Sequence, residues 1–329
     1  MMGGEDMEKA VVERKKDGRE LRATYAQTLV ALAEKDSRII DLEADLMGAG
    51  GMGVFKQAYP DRLIDVGIAE QSMIAMAAGL SFTGFVPFMH TFGTFATRRP
   101  CDQIYISCAY AGANVKICGS DPGICGTLNG GTHQAMEDIA ILRPIPNITI
   151  LEPCDHTQMA WAVRTAAENQ GLYYIRMFRK GCDQIYAPGS EFQLGKGVVV
   201  REGSDVTVFT CGAIMMEQSL LAADQMEKEG ISVRVVDLFS IKPLDRELII
   251  RCASDTHAVV TVENHFTIGG LHSAVSEVLT EAGIGVAYGN IGVRNRFGEV
   301  GQLEELMDHF EMTDRHIAAK IRETLDKKH

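Results

Sequence analysis

The sequence is poor in the features that mark membrane, secreted and nucleic-acid-binding proteins. It has no run of about 18 apolar residues, the length that a membrane-spanning helix needs. Its 32 lysines and arginines are outnumbered by 44 acidic residues, and the net charge of −12 argues against a nucleic-acid surface. Residues 1–16 contain no apolar core of a secretion signal. We therefore expect a cytoplasmic protein with neither a membrane nor a nucleic-acid partner.

Patterns typical of disulfides and metal sites are also missing. The eight cysteines stand singly, with no C-x-x-C pair, which in a chain of 329 residues is typical of reduced and mostly buried thiols. The nine histidines show no metal-ligand spacing such as H-E-x-x-H. We therefore expect no metal site formed by this chain.

Short apolar runs alternate with segments of helical periodicity along most of the chain, often separated by glycine. This alternation predicts an α/β fold with mainly parallel sheets flanked by helices. Because the chain is long for a single core, we expect two domains. The pattern predicts a polar leader at 1–19, a first domain at 20–185, a linker at 186–204 and a smaller domain at 205–329. One long helix is predicted over 91–111.

A glycine-rich segment follows the first predicted strand. Gly48, Gly50 and Gly53 satisfy the G-x-G-x-x-G pattern with which a dinucleotide fold brings backbone amides against a pyrophosphate. Pro60 follows so closely that no long helix fits after Gly53, although such a unit needs one. We therefore interpret residues 48–53 as a flexible loop.

Glu70 is a carboxylate in the first turn of a predicted helix, directly after a predicted strand and close to the apolar Met73 and Ile74. A glutamate in this place most often only interacts favourably with the helix dipole. A desolvated carboxyl, however, can exchange a proton with a heterocyclic nitrogen near neutral pH. The residues by themselves leave both interpretations open.

Two further segments combine aromatic side chains, a histidine and glycines. Phe92 and Phe95 are spaced i and i+3, and Arg98 continues the same face of the predicted helix. Such a pair is usually core, but it can also be a wall on which a flat ring stacks. His133 follows two glycines at a predicted helix N-terminus, where the backbone can approach a ligand closely. A capped helix with a surface histidine is the ordinary alternative.

In this order, these segments resemble the pyrimidine-binding domain of transketolases, and later segments resemble the C-terminal domain of that family. The resemblance rests on G-I-A-E-Q at 67–71, T-F-G-T-F-A-T-R at 91–98, G-T-H-Q at 131–134, R-P-I-P-N-I at 143–148, V-R-V-V-D-L at 233–238 and V-E-N-H at 262–265. It covers residues 20–325. It implies a thiamine-diphosphate-dependent transfer of a two-carbon ketol unit from an anionic ketose to an aldehyde.

The resemblance also implies roles for the cofactor-binding residues. Glu70 matches the family glutamate that hydrogen-bonds a ring nitrogen of the cofactor's aminopyrimidine and so promotes loss of the thiazolium C2 proton. Phe92, Phe95 and Arg98 match the lining of the pyrimidine pocket, with Arg98 in place of a third aromatic, as in deoxyxylulose-phosphate synthases. Asp45 matches a residue that approaches the cofactor across the subunit interface.

The implied substrate site departs from the usual pattern. His133, with Glu70 one of two expected catalytic residues, matches a histidine that contacts the donor sugar, and Arg22 and Arg179 match arginines that hold its distal phosphate. Asn129 replaces an aspartate that binds a donor hydroxyl. Two positions of the phosphate-binding set also differ, with Ala49 in place of a serine and Ser120 in place of a histidine. These departures argue against ordinary pentose phosphates as substrates and leave open an unusual phosphorylated sugar, a sulfonated sugar or a branched sugar as the donor.

The family motif that holds the cofactor's diphosphate through a metal ion, G-D-G…N, has no counterpart here, because the sequence contains no Gly-Asp-Gly. The resemblance therefore implies a partner subunit that carries this motif and Mg²⁺ or Ca²⁺, and a heterotetramer in which this chain also pairs with itself. Three alternatives stay open: the β subunit of a 2-oxoacid dehydrogenase first component, a deoxyxylulose-phosphate-synthase-like carboligase, and a non-catalytic regulatory subunit.

Overall fold

The computed structural model describes residues 10–328, and this part of the chain contains fourteen β-strands and thirteen α-helices. The strands are β1 (Val12–Lys15), β2 (Ile39–Glu43), β3 (Leu63–Asp65), β4 (Val86–Phe92), β5 (Lys116–Ser120), β6 (Ile148–Leu151), β7 (Leu172–Met177), β8 (Gln184–Tyr186), β9 (Val198–Arg201), β10 (Val206–Thr210), β11 (Val233–Asp237), β12 (Ser240–Lys242), β13 (Ala258–Phe266) and β14 (Ala287–Val293). The helices are α1 (Leu21–Lys35), α2 (Met47–Gly50), α3 (Gly53–Ala58), α4 (Glu70–Phe82), α5 (Gly93–Thr97), α6 (Cys101–Gln103), α7 (Asp138–Leu142), α8 (His156–Glu168), α9 (Ala213–Glu227), α10 (Arg246–Thr256), α11 (Leu271–Glu281), α12 (Leu303–His309) and α13 (Asp314–Leu325).

The first domain is built on a seven-stranded sheet with the order β12-β6-β7-β5-β4-β2-β3. All neighbouring pairs are parallel except β12 with β6. On one face, Leu21 and Leu29 of α1 pack with Trp161 of α8. On the other face, Met73 and Ile74 of α4 enter a second core cluster. A parallel sheet covered on both faces explains why its strands are apolar along their whole length.

The second domain has a five-stranded sheet with the order β14-β13-β10-β11-β9, parallel except for β9. Helices α9 and α13 pack together, and α13 also covers β13 and β14. These two sheets confirm the predicted α/β fold with mainly parallel sheets flanked by helices. No helix within residues 10–328 has the length and apolar character that crossing a membrane requires.

Four strands, β1, β8, β9 and β12, lie where the sequence pattern predicts none. In the stretch predicted as a polar leader, β1 pairs with β8, and in the stretch predicted as a linker, β9 pairs with β11. Strand β12 lies in the second half of the chain but pairs with β6 of the first sheet. Strands β9 and β12 each cover backbone groups that would otherwise form an open edge of a main sheet. Local periodicity carries no signal for such pairing, because the partner strand is remote in sequence.

Two predictions of local structure were wrong. Residues 48–53 are not a flexible loop, since α2 ends at Gly50, α3 begins at Gly53 and only a two-residue turn lies between them. Gly50 lies so close to His90 that an added Cβ would be 2.4 Å from Nδ1. The long helix over 91–111 does not form as a unit. Strand β4 runs on to Phe92, because its pairing with β5 extends to Ser120. The helical segment then begins at Gly93 and continues as α5, α6 and a π-helix at Ile104–Tyr110.

A buried ionic network, called here the seam network, joins the two domains through Arg176, Asp138 and Glu152. Arg176 Nε donates to Asp138 Oδ2 at 2.8 Å, and Nη1 donates to Glu152 Oε1 at 2.7 Å. Nη2 donates to the carbonyls of Ala135 and Asn264 at 2.9 and 2.8 Å. Since Asn264 belongs to β13 of the second sheet, one guanidinium holds both domains together.

Candidate active site

Several loops converge at the carboxyl edge of the first sheet, where ligands of parallel α/β folds usually bind. Phe92 and Ser120 end β4 and β5, which are neighbouring strands. Asp45 follows β2, and Glu70 opens α4 just after β3. The fold therefore brings four segments that are distant in sequence to one edge.

Glu70 is almost completely buried, with 1% of its surface exposed. Its Oε1 accepts a hydrogen bond from Nη1 of Arg99 at 2.6 Å. Its Oε2 is buried and has no donor among the described residues. A buried carboxylate oxygen without a donor is costly, so a ligand that supplies one would relieve that cost.

Three aromatic rings, those of Phe92, Phe95 and His133, pack together near Glu70. The centroid of His133 lies 5.7 Å from that of Phe92 and 5.1 Å from that of Phe95, with the rings edge to face. The two phenylalanine centroids are 6.0 Å apart. Beside them is a cleft of about 810 Å³, called here the aromatic cleft. It is lined by Thr94, Phe95, Arg98, Arg99, Gly131, Thr132, His133, Phe297 and Gly298.

The residues present fit the aminopyrimidine end of thiamine diphosphate. A flat heteroaromatic ring needs an aromatic wall, which Phe95 supplies, and a protonated ring nitrogen needs an acceptor, which Glu70 Oε2 supplies. Phe95 and Glu70 therefore suit the ring end of the cofactor. Residues 10–328 contain no group of three or more histidine, cysteine, aspartate or glutamate side chains that could hold a metal ion.

Asp65 organises the two loops nearest to Glu70. Its Oδ1 accepts from the backbone N–H of Asp45 at 3.1 Å and from that of Gly67 at 2.9 Å. Asp45 and Gly67 both have positive φ, of 60° and 70°. This carboxylate therefore fixes the turn that presents the exposed Asp45 and the turn that leads into Glu70.

Arg22 and Arg179 lie next to each other, because the backbone N–H of Arg22 donates to the carbonyl of Arg179 at 3.4 Å. Arg22 Nε donates to Glu20 at 2.7 Å, and its Nη1 donates to the carbonyl of Ala49 at 3.1 Å. Arg179 Nε donates to Asp121 at 2.7 Å. Both predicted anion-binding arginines are thus in one place, and each already faces a carboxylate.

The loop before His133 is held by the second domain. Asn264 Nδ2 donates to the carbonyl of Pro122 at 2.9 Å, and its Oδ1 accepts from the N–H of Ile124 at 3.0 Å. Gly123 between them has φ +53°, and a Cβ there would lie 2.0 Å from the Asn264 side-chain oxygen. Only glycine fits this turn.

His133 does not stand at a helix N-terminus, which corrects the sequence prediction. It follows the 3₁₀ segment Thr127–Thr132, and α7 begins only at Asp138. Between them, Ala135 forms an isolated β-bridge with Pro122, and its carbonyl accepts from the N–H of Gly123 at 2.8 Å. Asn129 lies exposed in the same 3₁₀ segment.

Arg98 lies at the outer rim of the aromatic cleft. Its guanidinium contacts Glu137 at 3.0 Å and donates to Thr94 Oγ1 at 2.5 Å. With 51% of its side chain exposed, it remains in contact with water.

A buried chain of polar groups, formed by Glu43, His90 and Ser120, lies near Arg22 and Arg179. His90 Nδ1 lies 3.2 Å from Glu43 Oε2, and His90 Nε2 lies 3.0 Å from Ser120 Oγ, with all three side chains inaccessible to water. Burial lowers the pKa of His90 to about 4, to which the positive charges of Arg179 and Arg22 contribute. Burial raises the pKa of Glu43 to about 9. At neutral pH this chain is therefore an uncharged Glu–His–Ser arrangement.

The sequence prediction missed three residues that shape this site. Arg99 touches Glu70, Asp121 holds Arg179, and Asp65 ties two loops. Arg99 alone carries a sequence signal, namely a second consecutive arginine in an otherwise apolar segment. Asp121 and Asp65 follow strands or end them, as many structural aspartates do, and only the contacts distinguish them.

Comparison with known families is consistent with this geometry. Residues 17–182 match the family described as transketolase, pyrimidine binding domain, and residues 195–317 match the transketolase C-terminal domain. The chain therefore belongs to the transketolase family and carries its pyrimidine-binding and C-terminal domains.

Individual relatives cover nearly the whole chain. It is 46% identical over 308 residues to the 6-deoxy-6-sulfo-D-fructose transketolase subunit SqwH of Clostridium sp. (strain MSTE9), covering 94% of this chain and 95% of that protein. It is 36% identical to human transketolase over 310 residues, which are 93% of this chain but only 49% of that enzyme. A solved split gene transketolase, described as an inactive beta4 tetramer, matches with a TM-score of 0.86 at 39% identity, covering 95% of this chain and all of that one.

Proposed function

We propose that this chain is one subunit of a split transketolase that moves a two-carbon ketol unit from an anionic ketose to an aldehyde. The observation that carries the proposal is Glu70, a buried carboxylate with one oxygen lacking a donor, beside the ring cluster of Phe92, Phe95 and His133. Asp41 and Asp138 also have buried carboxylate oxygens without a donor, so it is the position of Glu70, in contact with Arg99 at the aromatic cleft, that points to a ligand.

Thiamine diphosphate supplies the carbon nucleophile when it is bound. Oε2 of Glu70 would accept a hydrogen bond from the pyrimidine ring of the cofactor and so stabilise the proton on that ring. Phe95 and Phe92 would exclude water from one side of the ring. His133, half-buried at the edge of both phenylalanines, would orient the donor's hydroxyl groups, with Asn129 further out. Asp45 would meet the cofactor from its loop.

The donor class follows from the charges around Arg22 and Arg179. Each guanidinium already pairs with a carboxylate at 2.7 Å, Arg22 with Glu20 and Arg179 with Asp121. The surplus positive charge is therefore small. A phosphate ester carries about two negative charges at neutral pH, whereas a sulfonate carries one. This balance favours a ketose whose far end is a sulfonate, in agreement with the sulfosugar in the name of the Clostridium relative.

The proposal includes a second subunit. This sequence has no Gly-Asp-Gly, so the diphosphate and its Mg²⁺ or Ca²⁺ would be held by a chain that corresponds to the N-terminal half of a transketolase. Two copies of each chain would form a heterotetramer. Eight free cysteines, seven of them buried, suit the reducing cytoplasm in which we expect it to work.

The test is reconstitution of ketol transfer. The purified chain, with thiamine diphosphate and Mg²⁺, should be inactive alone and active after addition of the diphosphate-binding subunit. 6-Deoxy-6-sulfofructose should be a better donor than fructose 6-phosphate by kcat/KM. A matched preparation carrying Glu70→Gln should assemble but turn over far more slowly. Full activity of the chain by itself would overturn the split arrangement, and a preference for fructose 6-phosphate would overturn the sulfonate assignment.

A further inference from the structure

Arg99 stands between Glu70 and the aromatic cleft. The side chain of Glu70 is 1% exposed, whereas that of Arg99 is 37% exposed and borders the cleft. Within residues 10–328, Glu70 is the only carboxylate that pairs with Arg99. The neighbouring Arg98 pairs elsewhere, with Glu137. Any ligand that approaches Glu70 from the cleft therefore meets the Arg99 guanidinium first.

The guanidinium makes two contacts that a flat nitrogen heterocycle would also make. Its central carbon lies 4.1 Å from the centroid of the Phe95 ring. Its Nη1 donates to Glu70 Oε1 at 2.6 Å. A guanidinium is planar and carries its N–H donors in the plane, so it can stack on an aromatic face and donate to a carboxylate at the same time.

We propose that Arg99 occupies the pyrimidine site in the cofactor-free chain and has to swing out before the cofactor ring can bind. The inference rests on the proposed function, since it takes the ring to be that of thiamine diphosphate. Stacking on Phe95 and bonding to Glu70 are the contacts required of that ring, and Arg99 uses both. Its partial exposure gives the side chain a path into water, at the cost of its hydrogen bond to the buried Glu70.

This device keeps the reactive carboxylate paired until a cofactor arrives. Glu70 is then never a buried charge without any partner, which would be strongly destabilising. The consequence is a penalty on cofactor binding, because the bond between Arg99 and Glu70 must break first. Removing the guanidinium therefore strengthens binding of the ring, unlike removal of an ordinary binding residue, which weakens it.

The experiment titrates the full-length chain with 4-amino-5-hydroxymethyl-2-methylpyrimidine, the ring fragment of the cofactor, by calorimetry. This probe needs neither metal nor diphosphate ligands and therefore no partner subunit. Arg99→Met keeps an unbranched stem of similar length but has no donor and no flat cation. We expect Arg99→Met to lower the Kd roughly 10–100-fold, the usual worth of a hydrogen bond to a charged group. Arg99→Lys, which keeps the charge without the flat group, should lie between them.

Arg38→Met is the matched control, since Arg38 is an exposed arginine paired with Asp36 away from the cleft. It should leave the Kd unchanged. An Arg99→Met affinity equal to or weaker than that of the wild type would overturn the proposal for Arg99 while leaving the pyrimidine site in place. Absence of binding to every variant would overturn both this proposal and the cofactor assignment. Near-ultraviolet circular dichroism verifies that each variant is folded.

Discussion

Arginine meets carboxylate in two contrasting regions of this protein. In the seam network, Arg176 is completely buried and bonds to Asp138, Glu152 and two backbone carbonyls. At the aromatic cleft, Arg99 is 37% exposed and bonds to one oxygen of Glu70. The first arginine has several partners, whereas the second has a single carboxylate.

The difference follows from what each region has to do. A buried charge is tolerated only when its partners replace the water that it has lost, and removal of one partner is then strongly destabilising. The seam network meets this condition for the guanidinium and so holds two domains in one arrangement. At the cleft, Arg99 is partly exposed and Glu70 Oε2 has no donor. Asp138 Oδ1 in the seam network also lacks a donor, but it is completely buried, whereas the Arg99–Glu70 contact borders a cleft that a ligand can enter.

The largest effect is expected at Glu70 beside the aromatic cleft, and it concerns catalysis. Glu70→Gln should slow exchange of the cofactor's C2 proton in the assembled enzyme by about 10²–10⁴-fold, the usual worth of a positioned acid–base group. Stability and assembly should change little, because glutamine keeps the shape. Deuterium exchange followed by NMR measures the rate. An unchanged rate of C2 proton exchange would mean that Glu70 only supports the helix. The aromatic cleft and the seam network would then both have purely structural ion pairs.

The next largest effect is expected at Arg176 in the seam network, and it concerns stability. Arg176→Met should lower the free energy of unfolding by about 3–5 kcal/mol, because Asp138 and Glu152 become buried charges without their cation. Arg38→Met is the control, because the pair of Arg38 with Asp36 is solvent-exposed, and it should cost less than about 1 kcal/mol. Denaturant unfolding measures both. Similar losses in the two variants would show that burial of the seam network does not matter for its contribution to stability.

Arg179 is an intermediate case, with 20% of its side chain exposed and one partner, Asp121, at 2.7 Å. In the assembled enzyme, Arg179→Ala should reduce kcat/KM for a sulfonated donor by about 10–150-fold, the equivalent of roughly 1.5–3 kcal/mol. A donor without the anionic group should lose little further, because the contact is already absent. Equal losses with both donors would show that Arg179 has a structural role, as Arg176 has in the seam network.

The smallest effect is expected at His90, which is as buried as Arg176 but uncharged. The unfolded chain takes up a proton at His90 as pH falls through 6.5, whereas burial lowers the folded pKa to about 4. Stability from this group is therefore full above pH 6.5 and is lost as pH falls towards 4. The wild type should lose about 1–2 kcal/mol more between pH 7 and pH 5 than His90→Gln does. An identical pH dependence in both would mean that His90 takes up its proton in the folded protein over the same pH range as in the unfolded chain.

Much of the site could be predicted because its chemistry is local in sequence. Glu70, the Phe92–Phe95 pair and the turn before His133 each stand in a short segment whose residue types are distinctive. Other contacts could not be predicted, since their partners are far apart along the chain. Arg99 is separated from Glu70 by a helix and a strand, and Asn264 reaches Gly123 from the other domain.

Alternating apolar and helical segments by themselves determined that this protein is a two-domain α/β chain, because each period describes one element and its buried face. They also determined which side chains are available for proton transfer and stacking. Only the tertiary structure decided which of these groups are paired. Strand β12 crosses to the first sheet, Arg176 is sealed by four partners, and one oxygen of Glu70 is left without a donor. Pairing depends on distances between remote segments, and those distances exist only after the sheets have packed.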